Sequence, residues 1–176
     1  NNSMTSILGT QSIQHPNGAE AVTIASTGRV AQKIQSAFSV GIVSGQSQSV
    51  SGTTKLNFRT DGNLFQQYDI NGDFDNTANK FTAPVTGIYV FHVSIYDITG
   101  SQTTNGLQLY INGARKQNLI ITKHTPPTDE SFTGGTTSYK MNASDYAQIY
   151  HVATGSMTID SNPYHTYWQG YFVGAT

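Results

Sequence analysis

Residues 88–95 alternate strictly. Tyr89, Phe91, Val93 and Ile95 fall on one face of an extended chain, and Val90, His92, Ser94 and Tyr96 on the other. A period of two is the mark of a β-strand; a helix would scatter these side chains around its axis. The strand is entered through Phe74-Asp75-Asn76-Thr77-Ala78-Asn79-Lys80-Phe81-Thr82-Ala83-Pro84-Val85-Thr86-Gly87, a run rich in turn-forming residues. Val90 and Tyr96 put apolar bulk on the second face, so the pattern predicts that both faces are covered.

Other segments follow the same rule. Leu107, Leu109 and Ile111 alternate with Gln108 and Tyr110, and residues 146–152 and 167–173 read alike. Turn pairs punctuate the chain at Asn17-Gly18, Asn71-Gly72, Asn105-Gly106, Asn112-Gly113 and Asp61-Gly62. Such pairs accept positive φ at little cost and favour tight hairpins. Many short strands between turns predict an all-β antiparallel sandwich or barrel. Helical periodicity is confined to residues 30–37, too short to hold a helix. The Ser/Gly/Gln-rich residues 43–52 and the Pro-containing residues 124–130 read as loops. Residues 21–30 read as one alternating strand closed by a glycine turn.

Charge narrows the function classes. Only 11% of the 176 residues are charged and the net charge is −1. A nucleic-acid binder needs a basic face for the phosphates, so none is expected as a partner. Ser, Thr, Asn, Gln and Gly make up the difference, a surface suited to hydrogen-bonding sugars or other protein chains. No apolar run approaches the ~18 residues of a membrane helix, so no membrane insertion is expected. There is no cysteine, hence no disulfide framework. A chain that starts at Asn1 reads as a fragment or processed product.

The run from Phe74 to Phe91 resembles the signature of the globular head domain of complement component one-q, a family with the tumour-necrosis-factor-like jelly roll. Ala37-Phe38-Ser39-Val40 resembles its first strand, Leu107 to Gly113 a later strand and turn, and Tyr167-Trp168-Gln169-Gly170-Tyr171-Phe172-Val173 its closing aromatic-x-Gly-aromatic strand. The sequence departs from that pattern at Asn79 and Ser144, where the family has Gly, and at Trp168, where it has Phe. The resemblance implies a jelly-roll sandwich that forms a homotrimer and binds a ligand without catalysis. It assigns residues 37–176 to the head. Residues 1–36 are left as a short stalk, and its strand resembles the small β-repeats of bacteriophage tail-fibre shafts. No collagen-like repeat precedes the head.

Residues with chemical potential are few. Asp69-Ile70-Asn71-Gly72-Asp73-Phe74-Asp75 offers alternate oxygens, but a calcium loop needs Gly sixth and Glu twelfth, where this chain has Phe74 and Lys80. The histidines at 15, 92, 124, 151 and 165 show no zinc spacing. No nucleophile elbow or phosphate-binding loop occurs, and the adjacent Asp129 and Glu130 point apart. No enzyme activity, cofactor or metal is therefore expected. Val90, His92, Tyr96 and His151 are expected at the trimer interface, where protonation of the two histidines would loosen it. Thr103 and Asn105 in one loop, with Asn162, Tyr164 and His165 in another, are the expected ligand contacts, because sugars are held by aromatic faces and amides. The function expected is a receptor-binding knob of a bacteriophage fibre, attaching to a host-surface glycan or protein, carried on the virion and acting outside the cell. Two other readings stay open: a structural trimerisation, capping or capsid-decoration domain, and a secreted bacterial adhesin or lectin of the same fold.

Overall fold

A computed structural model describes residues 12–14, 20–24, 26–27, 30–32, 35–43, 45–60, 67–100, 103–123, 130–162 and 164–176. Every regular element among them is a β-strand. The chain divides into two compact units, Asn1–Gln35 and Ser36–Thr176. In the first, β1 (Ser12–Gln14), β2 (Glu20–Ile24) and β3 (Val30–Gln32) form an antiparallel sheet in sequence order. The strand expected within residues 21–30 is β2, followed by turn residues 26–27, and residues 30–32 are strand in place of any helical turn.

The second unit contains β4 (Ala37–Gly41), β5 (Gln48–Lys55), β6 (Tyr68–Asp69), β7 (Phe74–Asp75), β8 (Lys80–Thr82), β9 (Gly87–Gly100), β10 (Thr104–Ile111), β11 (Ala114–Lys123), β12 (Ser131–Met141), β13 (Tyr146–Ile159) and β14 (Tyr167–Ala175). All pairings are antiparallel, and the strands build a two-layer jelly-roll sandwich. One layer runs β12-β9-β14-β4-β6. The other runs β11-β10-β13, with β5 and β8 sharing the far edge of β13 and β7 beyond β8. A break in register past Ala153, with Gly155 at φ 101°, turns β13 so that Met157–Ile159 joins β9 and links the layers.

The predicted alternation produces the core. Tyr89, Phe91, Val93 and Ile95 point inward from β9 and Leu107, Leu109 and Ile111 from β10, all essentially inaccessible. Phe38 is the hub. Its ring stacks on Phe81 at 4.8 Å and meets Trp168 edge-on at 4.9 Å and Phe74 at 5.4 Å. Gly170 lies against this hub; a Cβ there would stand 2.5 Å from Phe38 Cε1 and 2.9 Å from Phe91 Cδ1. The closing strand therefore needs glycine between its aromatics for steric reasons.

Turn chemistry was followed at some sites and overridden at others. Asn112 and Gly113, at φ 52° and 75°, make the two-residue β10–β11 hairpin. Asn79 takes φ 48°, so asparagine serves where the family has glycine. Asn105-Gly106, expected as a turn, instead lies inside β10. The loop expected over residues 43–52 is strand from Gln48 onward, paired with β13. Asn17-Gly18 and Asp61-Gly62 fall outside the described residues.

Ser144 also takes a left-handed backbone, at φ 72°. Its backbone N–H donates to Ala83 O at 2.8 Å, so the conformation is held by the surrounding chain. A non-glycine residue there costs roughly 1–2 kcal/mol, while glycine costs about 0.5–1 kcal/mol through unfolded-state entropy. Ser144→Gly is therefore expected to stabilise the head by about 0.5–1 kcal/mol, read as a higher urea midpoint at unchanged slope.

Candidate functional site

The outer face of the β12-β9-β14-β4-β6 layer carries a row of aromatic side chains, with no further strand layer of this unit over them among the described residues. Strand parity sets this face: β9 turns Ile88, Val90, His92, Ser94 and Tyr96 outward, partly buried by their neighbours. Residues opposite them in register share it, namely Phe132, Thr136 and Ser138 on β12 and Tyr167, Gln169 and Tyr171 on β14. Phe132 is 64% exposed, Tyr171 50% and Tyr68 44%. Large apolar groups gathered on one face, in a chain with few charges, mark an interaction surface.

Two clusters organise the face. At its centre, His92 bridges the flanking strands: Nδ1 lies 2.6 Å from Thr136 Oγ1 on β12 and Nε2 lies 3.3 Å from Tyr167 Oη on β14. At one end, Tyr96 and Phe132 face each other across strands with ring centroids 4.5 Å apart, and His165 packs edge-on against both. The Tyr96 hydroxyl donates to Glu130 Oε2, and that bond holds the phenol proton so firmly that its pKa is pushed up to about 12. His165 Nδ1 lies 3.5 Å from Asp160 Oδ2, an ion-pair distance when the imidazole is protonated but long for a hydrogen bond. The turn bearing His165 is fixed to the sheet, because Ser94 Oγ donates to His165 O at 3.0 Å and Tyr96 N donates to Thr166 Oγ1 at 3.2 Å.

The structure brings together Val90, His92, Tyr96, Asn162, Tyr164 and His165 in or beside this face. Thr103 is exposed on a different element, with its N–H donating to Thr154 O at 2.9 Å at the start of β10. Two residues are corrected. Asn105, expected in a ligand loop, and His151, expected at an interface, are both 0% exposed inside the sandwich. Asn105 Nδ2 donates to Asp97 Oδ2, and its Oδ1 lies 2.7 Å from His151 Nε2. Ser131 Oγ also donates to Asp97 Oδ2, at 2.8 Å. These polar side chains turn inward, where Asn105 links Asp97 to His151.

The Asp-rich run is likewise occupied by its own backbone. Asp69 accepts from Asp73 N and Phe74 N, both at 3.0 Å, and Asp75 Oδ1 accepts from Thr77 N at 2.8 Å and Ala78 N at 2.9 Å. Ser36 Oγ donates to Asp73 Oδ2 at 2.6 Å. These carboxylates shape turns. Among the described residues no group of three or more His, Asp or Glu side chains is placed to hold a metal.

An antiparallel two-layer jelly roll closed by a Trp-x-Gly strand places the head among sandwiches of the tumour-necrosis-factor and complement type. The family model described as C1q domain matches residues 37–173, and the chain belongs to that family. Solved structures share the fold at low identity. Eiger TNF from S. frugiperda is 13% identical with a TM-score of 0.58, covering 80% of this chain and 93% of its own. Murine APRIL is 12% identical with a TM-score of 0.58, covering 79% and 99%. The globular domain of zebrafish complement 1qA is 15% identical with a TM-score of 0.56, covering 81% and 99%. No curated protein sequence matches the chain. Domains of this family are typically ligand-binding or structural and commonly trimeric.

Proposed function

We propose that the head is a homotrimeric attachment module, a receptor-binding knob on a bacteriophage fibre that engages a host-surface glycan or protein. The observation that carries the trimer is the aromatic face: Tyr68, Tyr96, Phe132, Tyr167 and Tyr171 share the outside of one layer. A second copy of the chain covers it, a reading that the apolar residues on both faces of β9 support. An interface of this kind buries ~2,000 Å² or more. The fibre setting draws support from the small β-sheet of β1–β3 and from the resemblance of that stretch to tail-fibre shaft repeats. Several weak sites presented together on a trimer gain avidity without any single strong contact.

Light scattering is expected to give about 57 kDa, three times the 19.0 kDa chain. Val90→Lys with Tyr171→Glu is expected to leave the circular dichroism unchanged and lower the mass to one chain, because charges replace apolar contacts on an otherwise intact surface. A 19.0 kDa species for the unsubstituted protein removes the trimer. Retained binding of the pure protein to host cells supports attachment; a stable trimer that binds no cell leaves the capping role.

A further inference from the structure

The sandwich has a second outer face, on the β11-β10-β13 layer. Leu107, Leu109 and Ile111 point into the core from β10, and Ala147 and Ile149 from β13. Strand parity therefore turns Gln108 and Tyr110, with Tyr146, Gln148 and Tyr150, away from the core. Register sets four of them in a square. Gln108 lies opposite Tyr150 and Tyr110 opposite Gln148, so the tyrosines share one diagonal and the glutamines the other. The two tyrosine rings stack, with centroids 4.0 Å apart and 29° between their planes. Tyr146, two residues before Gln148, continues the aromatic row, and Lys80 Nζ lies 4.9 Å from its ring centroid.

The polar part of the square is held in place. Gln108 and Gln148 point away from the core yet are only 3% and 8% exposed, so they lie sheltered among the larger side chains around them. Gln108 Nε2 donates to Asn118 Oδ1 at 3.0 Å, and Gln148 Nε2 donates to Ala78 O at 3.1 Å. Lys55, opposite Tyr150 on β5, donates from Nζ to the same Ala78 O at 3.1 Å. A surface pinned in this way loses little conformational entropy on binding.

Stacked rings interleaved with primary amides select a ligand. A sugar ring carries C–H groups on its faces and hydroxyls at its rim. The C–H groups pack on the electron-rich face of an aromatic ring, and in the Tyr110–Tyr150 stack each ring gives one face to the other and keeps its second. Hydroxyls both donate and accept, which matches amides and phenols; each glutamine has a second N–H and a carbonyl beyond the bond it makes. A purely apolar partner would leave those amides unmatched. Lys55 and Lys80 are engaged by Ala78 O and the Tyr146 ring, which favours a neutral sugar over an anionic one. We propose that this tyrosine–glutamine face binds a neutral hexose polysaccharide, with Tyr110, Tyr146 and Tyr150 against sugar rings and Gln108, Gln148 and Asn118 on hydroxyls. The proposal rests on the attachment reading for its biological meaning and names the ligand class. The face belongs to the layer opposite the one assigned to a second copy, so a trimer formed there leaves one such face per chain for multivalent binding.

The test is a titration of the isotopically labelled full chain with the neutral pentaoses of glucose, mannose and galactose, followed by amide and tyrosine-ring shifts. Pentagalacturonate serves in parallel as an anion of the same length. At least one neutral pentaose is expected to shift residues 108–110, 118 and 146–150. Tyr110→Ala is expected to weaken that binding about tenfold, the loss of one ring contact. Tyr110→Phe keeps the stack and is expected to bind nearly as the parent does. Asn118→Ala, at an exposed strand position, is expected to weaken binding without disturbing the core. Shifts confined to other residues, no shift with any neutral pentaose, tighter binding of the galacturonate, or a Tyr110→Ala or Asn118→Ala chain that binds as before would each overturn the assignment. Host-cell binding separates the two claims. Attachment undiminished by Tyr110→Ala with Tyr150→Ala overturns this site and leaves attachment standing. Pentaose binding by a chain that attaches to no cell supports the site and removes the attachment reading.

Discussion

Phe38→Ala is expected to destabilise the head by about 4 kcal/mol, the upper range for truncating a buried aromatic. The ring is 0% exposed and touches Phe74, Phe81, Phe91 and Trp168, so the cavity it leaves is walled by rigid rings that cannot collapse inward. A domain holds only about 5–15 kcal/mol in total, so the variant loses a large share of its margin. Gly170→Ala is expected to cost about 1–3 kcal/mol by the opposite route, because the added methyl drives into the same ring. The two effects couple. With Phe38 truncated, the Gly170→Ala methyl enters the cavity, and the double variant is less destabilised than the sum of the singles. Additive urea midpoints would show that the two sites do not share this space.

Acid weakens the head through His151. Burial pushes its pKa down to about 4, since desolvation penalises the charged ring. Asn105 donates its amide N–H to Asp97, so its oxygen faces His151 and Nε2 must carry the imidazole proton. Nδ1 is then the proton-accepting atom, and it is buried with no partner in place. A depressed pKa on a base means that the unfolded chain binds the proton more readily. The stabilising contribution is therefore complete above about pH 6.5, falls as the pH drops, and is exhausted below the folded value near 4. At about 1.4 kcal/mol per pH unit of displacement the whole contribution is about 3 kcal/mol. Melting temperature between pH 7 and pH 4 is expected to fall steeply, and His151→Gln, which keeps an amide donor for Asn105, is expected to flatten that dependence. A His151→Gln chain with the same acid profile would place the sensitivity elsewhere.

How much the sequence revealed depended on whether local pattern and burial agreed. In β9 they agree, so Tyr89, Phe91, Val93 and Ile95 could be assigned inward and Val90, His92 and Tyr96 outward from alternation alone. In β12 they conflict. Thr133 is 2% exposed and Thr137 8%, while Phe132 between the layers' edge and solvent is 64% exposed. Hydrophobicity would place these three the other way round; Thr137 is content inside because its hydroxyl donates to Gln117 Oε1 at 2.7 Å. His151 stands in phase with Ala147 and Ile149, which a stricter reading of parity would have found. Its partner Asn105 is 46 residues away, however, and only the fold brings the two together. Asn105-Gly106 failed as a turn because glycine serves another purpose there: a Cβ on Gly106 would lie 2.8 Å from Ile120 O on the neighbouring strand.

The pairing of β4 with β14 sets a constraint on how the protein is made. Phe38 lies opposite Gly170 and Val40 opposite Trp168, so the first strand of the head is held by the last. Loop closure over such a separation is slow and gains nothing until both ends are present. During synthesis the hub ring waits, with its neighbours exposed, until the closing strand has left the ribosome. The head therefore completes its fold only after its last strand has been made. Truncation ahead of Tyr167 would leave Phe38 and its neighbours without the closing strand and yield a product prone to clumping.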